Sequence, residues 1–184
     1  MLSSMLDSIR AGEFGRLRSF YAFDGSEQEQ AFEVMLTAAE NGDRLDRALK
    51  DRFDRGIADA SFGQQARAAG FELDDIESVT ADDYQIDIVS DTNAMVDGPG
   101  VIPGVALSGA GGVAILQDGQ WKILIGGMPG MDWGQTSAIY RSLGEVMNDV
   151  AQRVERGEID SFENFEQAFA TAMQQAMMGA MGGG

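Results

Sequence analysis

The run from Gly112 to Gly126, GVAILQDGQWKILIG, constrains this chain more than any other stretch. Asp118-Gly119 supplies the two residues of a tight type I′ turn, which needs positive φ at both positions, and β-rich residues flank it on both sides. Setting Gln117 opposite Gln120 puts Leu116 against Trp121 and Ala114 against Ile123 on one side of the ribbon. Ile115 then meets Lys122, and Val113 meets Leu124, on the other. The first side is continuously apolar and the second carries a lysine, so the hairpin is expected to have a core face and a wetter face.

Upstream, the pattern is helical. Leu2 to Ala11 reads as a short helix with Ser3 or Ser4 as cap and Gly12 as stop, and Glu13 to Phe20 reads as a second. Ser26 with Glu29 forms a capping box that starts a long helix at about Glu27. Its stripe is Ala31, Val34, Met35, Ala38, Leu45, Leu49 and Phe53. Asn41-Gly42 interrupts this stripe and predicts a kink or local break without loss of the helix. Ser61 is expected to cap a shorter helix over 62–69 that Gly70 ends, and Ile76 to Thr80 reads as a weak strand or turn.

Tyr84, Ile86 and Ile88 alternate with Gln85, Asp87 and Val89, the period of a half-buried strand, which Ser90-Asp91-Thr92 turns back into Ala94 to Val96. The run 98–111, GPGVIPGVALSGAG, predicts a long loop. After the hairpin, Asp132 with Gln135 caps a helix striped by Ile139, Leu143, Val146, Val150 and Val154, and Arg153, Arg156 and Gly157 close it. Ser161 caps a last helix that carries Phe162, Phe165, Phe169, Met173 and Met177 on one face. The expected class is α+β: N-terminal helices, a small curved antiparallel sheet of about four strands ending in the hairpin 112–126, and two C-terminal helices. One domain over 1–178 is expected, with a core at 1–126, a helical extension at 132–178 and a loose Gly-rich tail at 179–184.

Charge and composition exclude whole classes of chemistry. With no Cys there is no disulfide and no thiolate nucleophile; with no His there is no Ser-His-Asp triad and no imidazole base. Catalysis would fall to carboxylates, Tyr, Lys or Arg. The net charge of −17 argues against nucleic acid and anionic membranes as partners. Between Phe71 and Asp132 eleven acids meet only Lys122, so the middle of the chain is its acidic end, and any electrostatic partner should be basic or a cation. No run approaches the roughly 18 apolar residues of a membrane span, and Met1 to Arg10 lacks the pattern of a signal peptide. A soluble protein is expected, in the cytoplasm or exported with a leader absent from this chain.

The helical opening SIRAGEFGRLRSFYAFD and, above all, Val113, Ile115, Asp118, Gly119, Trp121, Lys122 and Ile123 carry a resemblance. They resemble the nuclear transport factor 2-like, or cystatin-like, cone superfamily over roughly Met1 to Ile125, and in particular uncharacterised bacterial members with a similar final hairpin. The resemblance implies a curved sheet wrapped on helices, often with a pocket, on a fold that serves enzymes and binding proteins alike. SnoaL-like isomerases and cyclases of that superfamily use Asp or His in the pocket, and this chain has no His.

Several motifs are set aside on physical grounds. Gly109 to Ala114 fits GxGxxA, but a strand follows it where a dinucleotide site needs a helix N-terminus. Leu107-Ser108-Gly109 lacks the first glycine of a nucleophile elbow. Asp91, Asn93 and Asp97 space like part of a calcium loop, but Met95 replaces an oxygen ligand and the central glycine is missing, so no metal or cofactor is expected. Asp74-Asp75 and Asp82-Asp83 read as element boundaries. Asp87 is the candidate general base if it faces a dry pocket, with Tyr84 beside it; its alternative is the solvent face, with Gln85. Leu116, Trp121 and Ile123 are the candidate pocket lining, against a plain core role. Met173, Met177, Met178 and Met181 are the candidate interaction surface, because methionine adapts to many contacts.

Three functions stay open. The first is a non-enzymatic binding domain for a small apolar ligand or another protein chain, including a homodimer partner. The others are a cofactor-free, SnoaL-like isomerase or hydrolase using a carboxylate, and a structural or secretion-associated acidic protein.

Overall fold

Asp118 and Gly119 both take positive φ, 52° and 75°, so the turn predicted from the sequence is the one the chain adopts. The computed structural model describes residues 1–61, 63, 78–98, 112–125 and 132–182, with backbone alone at 177 and 179–182. Within them lie five α-helices and one five-stranded sheet, an α+β architecture. The expected helix at 62–69 except residue 63, the strand or turn over 76–80 except its last three residues, and the loop 98–111 beyond Gly98 lie outside the described residues, as do Leu107-Ser108-Gly109, the first half of the GxGxxA match and Asp74-Asp75.

The chain gathers into two compact units, Met1–Gln30 with Glu72–Met131, and Ala31–Phe71 with Asp132–Gly184. In the first, α1 (Leu2–Arg10) buries Leu2, Met5 and Leu6, and Gly12 at φ 67° ends its last turn. The helix begins at Leu2, with Met1 at its cap position and Ser3 and Ser4 inside it. The second expected helix is only α2 (Phe14–Leu17), followed by one 3-10 turn, Arg18–Phe20, because the chain there straightens into β1 (Tyr21–Phe23).

The remaining strands are β2 (Gln85–Ser90), β3 (Asn93–Asp97), β4 (Gly112–Gln117) and β5 (Gln120–Ile125), in the order β1-β5-β4-β3-β2. The hairpin register is the expected one at every pair, from Gln117 opposite Gln120 to Val113 opposite Leu124. The sheet is nevertheless mixed and has one strand more than expected, because β1 pairs parallel with β5, Tyr21 beside Ile123 and Phe23 beside Ile125. Three residues are too short to show an alternation, and their partner lies about a hundred positions away, so no local signal marks this strand.

In the second unit α3 (Ser26–Phe53, counted from Ala31), α4 (Trp133–Glu155) and α5 (Phe162–Gly182) enclose a core of Leu45, Leu49, Val150, Val154, Ile159 and Phe165. Phe165 lies between Phe162 and Phe169, with ring centroids 5.3 and 5.8 Å away. Asp132 accepts from the Gln135 N–H at 2.9 Å and Ser161 Oγ from that of Asn164 at 3.2 Å, so both expected caps form.

Helix continuity exceeds expectation at two places. α3 runs unbroken through Asn41-Gly42, because the glycine is used for packing: a Cβ on Gly42 would stand 3.3 Å from Met147 Sδ. The tail 179–184 is helical as far as Gly182, since the Met and Ala between its glycines are good helix formers.

Candidate functional site

The sheet register assembles a surface residue by residue. One row crosses all five strands: Ile88, Ala94, Ala114, Ile123 and Tyr21. Beside it, on the same face, stand Ile86, Val96 and Gly112 on one side and the Leu116–Trp121 pair on the other. Two alanines between isoleucines leave a trough, since their methyl groups do not reach the height of their neighbours. A cavity of about 410 Å³ occupies it. Ile86, Ile88, Ala94, Val96, Ala114 and Trp121 supply the sheet side, and Met1, Leu2, Ser3 and Ala81 supply the rim. None of these side chains is charged.

Trp121 is therefore the one member of the expected lining that borders the cavity. Ile123, next to Ala114 in the same row, is fully buried and belongs to the core, and Leu116 is exposed at the hairpin end of the same face. The residues missed by the sequence reading are Ile86, Ile88 and the Ala94–Ala114 pair. Their signal was present in the alternation of β2 and in the two small residues that the register places side by side.

Asp87 projects from the other face, in register with Met95, and is exposed, with Gln85 Nε2 at 3.3 Å from each of its carboxylate oxygens. It takes the solvent-face alternative and has no access to the trough, so the general-base role does not fit its position. Tyr84 follows the parity of Ile86 and Ile88 and is buried; a Cβ on Gly98 would come within 2.5 Å of its ring, so the glycine lets the ring lie against the chain. Tyr21 is buried on the same face, and its phenol is pushed well above the usual tyrosine range, first by burial and then by the charge that Tyr84 would carry.

The other singled-out residues do not converge. Asn93 and Asp97 lie along one strand, which at roughly 3.3 Å per residue separates them by about 13 Å. Asp97 Oδ1 accepts the Gly98 N–H at 3.0 Å. Among the described residues no cluster of carboxylates is placed to hold a metal ion, and no helix is long and apolar enough to cross a membrane. On α5, Met173 packs against the core while Met178 is exposed; the side chains of Met177 and Met181 lie outside the described residues.

Asp83 accepts the Thr80 N–H at 2.7 Å and its hydroxyl at 2.9 Å, and these bonds hold its carboxyl below the usual range. Asp82 and Asp83 thus form part of a 3-10 turn, Ala81–Asp83, at the entry to β2, which is the boundary role expected of them. Comparison of the chain with family models, with curated proteins and with solved structures found no match.

Proposed function

We propose that this protein is a non-enzymatic binding domain that takes a small, uncharged, apolar ligand in the trough beside Trp121. The supporting observation is the cavity of about 410 Å³ with no charged side chain in its lining. Ligand sites fall at roughly 300–1,000 Å³ and are predominantly apolar, so the volume suits a molecule of modest size. An anion would have to leave water for a site whose lining offers no basic side chain, in a chain of net charge −17. With this reading goes the proposal that the unit holding the sheet is a cone-like member of the nuclear transport factor 2-like superfamily.

The test uses the neutral dye N-phenyl-1-naphthylamine and the variant Trp133→Phe, which leaves Trp121 as the single tryptophan. Dye binding should saturate at one site per chain and quench Trp121 by energy transfer. Ala114→Leu, which fills the trough, should weaken binding at least tenfold while the chain still unfolds cooperatively. Undiminished dye binding by a folded Ala114→Leu variant would move the site elsewhere and sink the proposal.

A further inference from the structure

Among the described residues β2 is the last strand of the sheet on its side, and all six of its residues are exposed. Ile86 is 52%, Ile88 74% and Val89 68% exposed, which is unusual for branched aliphatic side chains. The direction of its backbone groups follows from one hydrogen bond. The Leu116 N–H donates to the Thr92 carbonyl at 2.9 Å, and Thr92 and Leu116 continue the register of Ala94 opposite Ala114. The even-numbered residues of β3 therefore bond to β4, and the odd-numbered ones to β2. Met95 and Asp97 take Asp87 and Gln85 as partners. The N–H and C=O groups of Ile86 and Ile88 are left pointing away from the sheet, along its open edge.

Sheet edges are normally blunted by lysine, proline or an inward-turned charge, and β2 has neither lysine nor proline. The bulge between Ile88 and Ser90 limits the straight part of the edge to Gln85–Ile88. Charge sets the chemistry of what fits it. The stretch 78–98 holds Asp82, Asp83, Asp87, Asp91 and Asp97 and not one lysine or arginine. A second copy of the chain would bring these acids against themselves.

We infer that the β2 edge is a strand-addition site for an extended segment of a partner protein in which apolar residues alternate with Lys or Arg. The apolar side chains of the added strand continue the Ile86–Ile88 face, its cations lie on the Asp87 face, and its backbone bonds to Ile86 and Ile88. Main-chain pairing supplies affinity and the alternation supplies register. This inference concerns backbone atoms outside the trough and does not rest on the ligand reading: a chain that binds no apolar dye would still bind the segment.

The probe is a fluorescein-labelled heptapeptide of alternating Lys and Val, followed by fluorescence anisotropy with the full chain. It should bind, weaken as salt is raised, and lose up to about fivefold in affinity to Asp87→Asn. Its Glu-Val counterpart should not bind. Two N-methylated versions decide the mode. In an antiparallel addition the valine N–H groups face β2, so methylation at valine should cost at least tenfold and methylation at lysine little; a parallel addition reverses the two.

Equal binding of both methylated peptides and the parent would leave charge attraction alone and overturn the inference, as would absence of binding. Ile88→Pro removes one outward N–H without touching the β3 ladder, and should weaken the parent peptide at least tenfold. Should that variant fail to fold, the methylated peptides still decide. A dimer of the chain dispersed by the peptide would put a second copy on the edge and overturn the assignment of a basic partner.

Discussion

Asn41 Nδ2 donates to the Gly144 carbonyl at 3.1 Å, tying α3 to α4. A Cβ on Gly144 would stand 3.2 Å from Ala38 Cα, which is backbone and does not swing aside. Asn41-Gly42 and Ala38 on one helix and Gly144 on the other are thus parts of one close crossing, and the polar Asn on the stripe is satisfied by it.

Gly144→Ala tests the crossing. Alanine gains up to about 1 kcal/mol in helix propensity, and forcing the helices apart costs about 1–3 kcal/mol, so the expected net is destabilisation of about 1 kcal/mol. Gly15→Ala is the control: nothing lies within 4 Å of its would-be Cβ, and it should be neutral or stabilising. Urea titration of both variants measures the difference, and a stabilised Gly144→Ala would show that the crossing gives way freely.

At the hairpin tip the cost is conformational and not steric. Gly119 has φ 75° with nothing within 4 Å of its would-be Cβ. Gly119→Ala should therefore destabilise by about 1–2 kcal/mol, and Gly119→Asn by less, because Asn tolerates the left-handed region. Equal stability of Gly119→Ala and the parent in thermal unfolding would mean that the turn relaxes to another type.

Gly119 and Gly42 show what is legible in the sequence. Gly119 could be read from the sequence because turn, alternation and register are all local, and the full pairing from Gln117 to Val113 followed from one dipeptide. Gly42 reads only as a kink or local break within a helix that persists, because its packing partner, Met147, is more than a hundred residues away. β1 was hidden for the same reason. The trough was half legible: Trp121 marked it, but its emptiness comes from Ala94 lying beside Ala114, which only the β3–β4 register supplies.

Acid should loosen the protein through three carboxylates held below their ordinary range. Glu155 is lowered chiefly by its hydrogen bonds from Arg44, at 2.8 and 2.6 Å, Glu166 by the Ser61 N–H at 2.6 Å, and Asp83 by Thr80. A carboxyl whose folded pKa is depressed binds its proton first in the unfolded chain. Its contribution is present above the unfolded value of about 4 and is lost as pH falls through the folded one. Melting temperature should drop between about pH 5 and pH 3, and Glu166→Gln should flatten part of that drop. An unchanged slope in the variant would mean that Glu166 is not held in the folded chain.

At the alkaline end the sign reverses. The Tyr21 phenol is raised by burial, so between its ordinary value of 10.0 and its folded value the unfolded chain loses a proton that the folded chain keeps. The stabilisation is therefore complete below about pH 10 and declines as pH rises above it. Stability of the parent should fall with a slope approaching one proton per pH unit beyond the exposed tyrosine range, and Tyr21→Phe should remove that proton from the slope. Stability measured by urea from pH 8 to 11.5 gives both curves. Parallel curves would place the Tyr21 hydroxyl in contact with water, contrary to its buried position beside Ile123 on the sheet.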